Sequence, residues 1–86
     1  MWIKIDEKIS PTVLREAEEK LLAGDSEVTL DFSSVSRVDA PTLRELAELA
    51  RIADAKAGRV NLRGVNVDVY KVLKLVKLTQ KFSFAN

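Results

Sequence analysis

The stretch Val28-Thr-Leu-Asp-Phe-Ser-Ser-Val-Ser-Arg-Val-Asp-Ala-Pro-Thr-Leu43 decides how this chain is read. Val28, Leu30 and Phe32 alternate with Thr29 and Asp31, the period of a half-buried strand. Ser33, Ser34 and Ser36 make a polar turn, and Val35 and Val38 form a short second apolar step. Asp39 then reads as a helix start, because an aspartate there accepts hydrogen bonds from the free amides of the first turn. Pro41 falls inside that turn, where a missing N–H is tolerated. A strand feeding a helix in this way puts the loop at the carboxyl end of the strand, where open α/β sheets gather their working residues.

The same alternation of periods continues on both sides. Trp2 to Asp6 alternates apolar and polar, which predicts an edge-like strand. Ser10-Pro11 announces a helix over about residues 11–23, with Leu14, Ala17 and Leu21 as its stripe, Val13 and Leu22 alongside, and Gly24 as its stop. The helix that begins at Asp39 carries Leu43, Leu46, Ala47, Ala50, Ala53 and Ala57 at spacings of three and four. Leu49 and Ile52 widen this stripe, and Gly58 is the expected stop. Arg59 to Arg63 alternates as a third strand, Gly64 turns the chain, and Asn66 caps a third helix to about Lys77 with Val69, Val72, Leu73 and Val76 inward. Phe82-Ser-Phe84 makes a short last strand. The order is β-α-β-α-β-α-β, an α/β fold with a small, mostly parallel four-stranded sheet and three helices in one domain spanning residues 1–86.

Composition narrows the function. The 86 residues contain no cysteine and no histidine, which removes thiolate chemistry, the commonest metal ligand and the commonest general base. No base is at hand to activate the hydroxyls of Ser33, Ser34 or Ser36. The three glycines each sit at a helix stop or turn, so no phosphate-cradling loop can be written. Asp31 and Asp39 bracket the central loop. A divalent cation could sit between two such acids, but an Asx-type turn and a helix cap account for both without one. No metal site and no cofactor are expected, and the chain reads as a non-enzyme.

The N-terminus carries acids and alternates, unlike a secretory leader, and no apolar run reaches membrane-spanning length, so a cytoplasmic protein without an integral membrane segment is expected. The net charge of +1 hides an asymmetry. Residues 1–57 hold 8 basic and 12 acidic side chains, a balance of −4, whereas residues 58–86 hold 6 and 1, a balance of +5. Lys71, Lys74, Lys77 and Lys81 form either a solvated helix face or a surface for an acidic partner or lipid headgroups. No aromatic residues are interleaved with these lysines, which argues against nucleic acid.

The central stretch also resembles the signature of the STAS domain family (sulfate transporter and anti-sigma factor antagonist). Asp31, Ser33, Val35, Val38, Asp39 and Leu43 match its pattern, and Ala40-Pro41-Thr42 replaces the family's Ser-Ser-Gly. The segments from Gly58 to Asn66 and from Val69 to Phe82 are similar to the family's third strand and third helix, so the resemblance covers about Val28 to Phe84. It implies a non-catalytic protein-interaction module. In the anti-anti-sigma branch a kinase-like anti-sigma factor phosphorylates the serine that follows the second aspartate, and the added charge breaks the complex. That position is Ala40 here, so the switch is lost. Thr42 offers a hydroxyl two residues later, as a displaced phosphoacceptor or as a packed helix-start residue, and Ser33, Ser34 and Ser36 are further acceptor candidates. The resemblance also implies a second role, as the cytoplasmic subunit of a lipid-transporting ABC complex. The expected docking face is the 36–44 loop with the outer side of the second helix: Ser36, Arg37, Asp39, Ala40, Thr42, Arg44, Glu45 and Glu48. The partner is then a kinase-like anti-sigma factor or an ABC transporter subunit. A homodimer through the Trp2–Asp6 edge is a further expectation, since unpaired edges invite pairing.

Overall fold

Burial alternates along the two central strands: Val28, Leu30, Val60 and Leu62 are enclosed, while Glu27, Arg59 and Arg63 are exposed. A sheet covered by helices on both faces would bury both sets, so this one is covered on one face only. The computed structural model describes residues 2–5 and 11–85, in the order β1 (Trp2–Lys4), α1 (Pro11–Leu22), β2 (Glu27–Asp31), α2 (Ala40–Ala55), β3 (Arg59–Arg63), α3 (Val67–Leu75) and β4 (Ser83–Ala85). The four strands lie in sequence order and every pair is parallel. The expected strand end at Asp6 and cap at Ser10 lie outside the described residues.

Register aligns Ile3, Leu30, Leu62 and Phe84 in one row across the sheet. Phe84 stacks on Tyr70 of α3 with ring centroids 5.1 Å apart, which places α3 over the same face as the buried row. α1 packs alongside α2 on that side. The core is therefore a single layer between sheet and helices, built around Ile5, Leu14, Leu21, Leu30, Phe32, Leu46, Leu49, Leu62 and Leu73. The opposite face is polar. Asn61 Nδ2 donates to Thr29 Oγ1 at 3.2 Å, and the Arg63 guanidinium lies 5.1 Å over the Trp2 ring. β1 and β4 are the sheet edges, as the alternation at Trp2 led one to expect for β1.

All three helices close with the same C-terminal pair of hydrogen bonds. Asp25 N donates to Lys20 O and Gly24 N to Leu21 O; Gly58 N to Ala53 O and Ala57 N to Asp54 O; Leu78 N to Leu73 O and Lys77 N to Lys74 O. This arrangement needs one left-handed residue. Gly24 supplies it for α1, as expected, but Ala57 (φ 53°) and Lys77 (φ 61°) supply it for α2 and α3. Gly58 is thus not the left-handed stop. It leaves room for Leu21, whose Cδ2 would lie 2.9 Å from a Cβ at this position and would have to shift.

The inward stripe of α2 also differs from its sequence reading. Thr42, Leu46, Leu49, Ala50, Ile52 and Ala53 are buried, and Leu43 is half-buried. Ala47 faces solvent and Ala57 lies beyond the helix, exposed. On α3 only Val69 and Leu73 are buried; Val72 is partly covered and Val76 is exposed.

Candidate docking site at the carboxyl end of the sheet

The loop between β2 and α2 is built by side chains that satisfy backbone amides. Asp31 Oδ1 accepts from Ser33 N at 2.9 Å and turns the chain out of β2. Its carboxyl is held below the usual range by hydrogen bonds from Ser33, with Lys4 and Arg63 adding weaker attraction. Val35 N donates to Phe32 O at 2.9 Å, and Val35 itself is buried. Asp39 caps α2: its backbone is extended, its Oδ1 accepts from Thr42 N at 2.9 Å, and hydrogen bonds from the Thr42 side chain and then its backbone lower its pKa. Both aspartates therefore take the roles that turn and cap chemistry assigns them.

Two residues from the β3–α3 connection hold the loop from the side. Asn66 caps α3, its Oδ1 accepting from Val69 N at 2.8 Å. Its Nδ2 donates to Val35 O and Ser36 O, both at 3.1 Å. The orientation of the amide follows from chemistry, since a backbone N–H needs the oxygen and two carbonyls need the NH₂. Gly64, at φ +69°, lies so close to the Ser33 turn that a Cβ would sit 2.9 Å from Ser33 Cβ and 3.0 Å from its Cα. Asn66 was legible as a cap, but nothing in the sequence marked it as a clamp on a loop thirty residues upstream.

The expected docking residues separate into two groups. Ser36, Arg37, Asp39, Ala40 and Arg44 are exposed on the loop and the first turns of α2. Ala47 and Arg51 continue the ridge begun by Ala40 and Arg44, so this face contains an alanine that hydrophobic spacing had assigned to the core. Thr42 is a correction. It is only 2% exposed and lies under the helix, so its hydroxyl is not presented as a docking group or as a phosphoacceptor. The reason is geometric: the third helical position falls 200° around from Ala40, on the core side. Ser33, Ser34 and Ser36 remain exposed.

Glu45 and Glu48 are half-exposed, and both lie near enough to Glu18 of α1 for their charges to act on it. Glu48 accepts from Arg51, with Nε at 3.0 Å, and this pairing lowers its pKa. Glu18 of α1 faces them. Its pKa is raised, first by burial, then by the charge of Glu45 and by a carboxyl–carboxyl hydrogen bond with it, then by the charge of Glu48, with Arg15 opposing. This seam borders the docking ridge and is not part of its outer surface.

A family profile described as "Mlab, STAS domain" matches residues 5–83. The chain belongs to the STAS domain family. None of the curated proteins matches it. Among solved structures, the NMR structure of TM1081 superposes with a TM-score of 0.80 at 17% identity, covering 99% of this chain and 72% of that one. The crystal structure of TM1081 from Thermotoga maritima, named as an anti-sigma factor antagonist, gives 0.71 at 18%, covering 98% and 71%. A serine-to-glutamate variant of RsbS from Moorella thermoacetica gives 0.75 at 22%, covering 98% and 76%. These likenesses establish the STAS fold with its parallel sheet and three helices. Among the described residues no helix is long and apolar enough to cross a membrane.

Proposed function

We propose that this STAS domain is a non-catalytic protein-docking module that acts through the 36–40 loop and the Ala40–Arg44–Ala47 ridge of α2. The observation that carries the reading is Ala40. It is exposed as the first residue of α2, directly after the capping aspartate, where the resemblance to anti-sigma factor antagonists locates a phosphorylated serine. With no hydroxyl on Ala40, Pro41 beside it and Thr42 buried, the loop keeps its docking geometry and has lost its charge switch. Arg37 and Arg44 give the surface a positive rim, suited to a partner with acidic groups. The absence of histidine and cysteine from the sequence agrees with a role that involves no chemistry.

A second reading uses the same face. It is a cytoplasmic STAS subunit docked on a lipid-transporting ABC complex, the other role that the resemblance to STAS domains implies. Affinity capture from native cytosolic and membrane fractions tests both, using wild type beside Arg44→Glu, Ala40→Asp and the remote control Lys20→Glu. Retention of a partner by wild type and Lys20→Glu, with loss in the other two, supports the docking face. A kinase-like anti-sigma factor or an ABC subunit in the eluate distinguishes the two roles. A partner that Arg44→Glu and Ala40→Asp both retain refutes this face as the docking site.

A further inference from the structure

Five of the seven large apolar side chains left exposed among the described residues lie on α3, its C-terminal turn or β4: Val67, Tyr70, Leu75, Val76 and Phe84. Leu75 is 82% exposed and Val67 68%, so neither contributes to the core. The inner side of α3 is already supplied by Val69 and Leu73. Helical spacing places Val67, Tyr70, Lys71, Lys74 and Leu75 on the outer side, where a surface helix is ordinarily polar throughout. Lys71, Lys74 and Lys77 are exposed around these apolar groups, and Asp68 is the one acid of the helix. Lys81 is paired instead with Asp54 of α2 at 3.1 Å. A shallow cleft of about 340 Å³ lined by Val65, Asn66, Val67, Tyr70, Lys71 and Lys74 opens at the start of the helix.

We propose that the outer face of α3 is a peripheral contact for an anionic lipid bilayer. Two features of this face point to lipid rather than to an acidic protein. Its cations are all lysine, which protein interfaces deplete in favour of arginine and which polybasic membrane contacts use. Lysine also keeps its ammonium in the headgroup layer while its stem lies along apolar surface, which fits side chains interleaved with Leu75, Val67 and Tyr70. Lys71, Lys74 and Lys77 against the single acid Asp68 leave this face positively charged, which favours approach to a negative surface. This face shares no side chain with the proposed docking ridge, so substitutions can test the two readings independently.

Flotation with phosphatidylcholine vesicles, with and without phosphatidylglycerol, tests the proposal. Wild type is expected to float only with the anionic vesicles and to be released by high salt. The triple variant Lys71→Gln, Lys74→Gln, Lys77→Gln should lose affinity roughly 100-fold, at about 5-fold per lysine. Leu75→Ser, at a position outside the core, should weaken binding without lowering the melting temperature. In a Trp2→Phe background, Leu75→Trp should show a blue-shifted emission on anionic vesicles, which reports insertion at that residue. Arg44→Glu should float like wild type. Absence of flotation, equal flotation with neutral vesicles, or an unaffected triple lysine variant overturns the proposal. Capture on immobilised polyglutamate without vesicle binding overturns it too and assigns the face to an acidic protein.

Discussion

Asn66 makes two kinds of contact with one side chain, and substitutions can separate them. Its oxygen caps α3 through Val69 N, and its NH₂ holds Val35 O and Ser36 O of the docking loop. Replacing an N-cap asparagine by alanine costs about 1 kcal/mol. The part-buried bond to Val35 O contributes about 1 kcal/mol more, while the exposed bond to Ser36 O is replaced by water at little loss. Asn66→Ala should therefore destabilise the domain by about 2 kcal/mol, a fall in melting temperature of roughly 8–16 °C for a domain of this size. Asn66→Ser keeps a capping oxygen but cannot reach the loop, and should lose only the clamp, about 1 kcal/mol. Circular-dichroism melts give these totals. Amide hydrogen exchange locates them, because the Val69 amide reports the cap and the Val35 amide, bonded to Phe32 O, reports the loop turn. Asn66→Ser should accelerate exchange at Val35 and leave Val69 protected, whereas Asn66→Ala accelerates both. Equal melting losses in the two variants, or a Val35 amide that stays protected in both, refutes the clamp.

Gly64→Ala should be more damaging than either, by more than about 2 kcal/mol, because a left-handed alanine is strained and its Cβ also meets the Ser33 backbone near 3.0 Å; a melting temperature within a few degrees of wild type contradicts that. Ala57→Gly should stabilise by up to about 1 kcal/mol, since it relieves the left-handed strain at the end of α2 against the entropy of a new glycine; a urea midpoint that does not rise argues against it. Glu18→Gln should raise the melting temperature at neutral pH. A carboxyl whose folded pKa is raised destabilises the fold above that pKa, so the advantage of the variant should shrink as pH falls through the raised Glu18 value and vanish below the ordinary value of 4.5. An advantage that is constant with pH removes the electrostatic explanation. Asp31 and Asp39, with lowered pKa values, act in the opposite sense, and their stabilisation is lost only as pH falls below 3.8.

The strands, the caps and the parallel order were legible because periods of two and of three to four alternate cleanly, and because Asp39 and Asn66 stand at helix starts. Misplacements fell where a residue type is compatible with two environments. Alanine satisfies both a core stripe and a solvent ridge, so Ala47 was assigned inward and lies outward. Threonine reads as a surface hydroxyl, yet Thr42 lies on the core side of the first turn of α2. Gly58 beside a helix end reads as a stop, although Ala57 takes the left-handed angle and Gly58 makes room for Leu21. The Asn66 clamp and the repulsion between Glu18 and Glu45 each join segments far apart in sequence, and no local pattern encodes either.

These long-range contacts order the loop between β2 and α2. The N-termini of α2 and α3 converge on the carboxyl end of the sheet, and the loop between Phe32 and Asp39 is tied at each end and in the middle: by Asp31 to Ser33, by Asp39 to Thr42, and by Asn66 to Val35 and Ser36. Gly64 closes the remaining gap against Ser33. A loop ordered by its own scaffold has little conformational entropy to lose when a partner binds. The side chain at position 40 makes none of the hydrogen bonds that hold this loop. If the proposed docking function holds, alanine in place of a serine there would remove a hydroxyl and leave the scaffold of the loop in place, the combination a permanently available docking module requires.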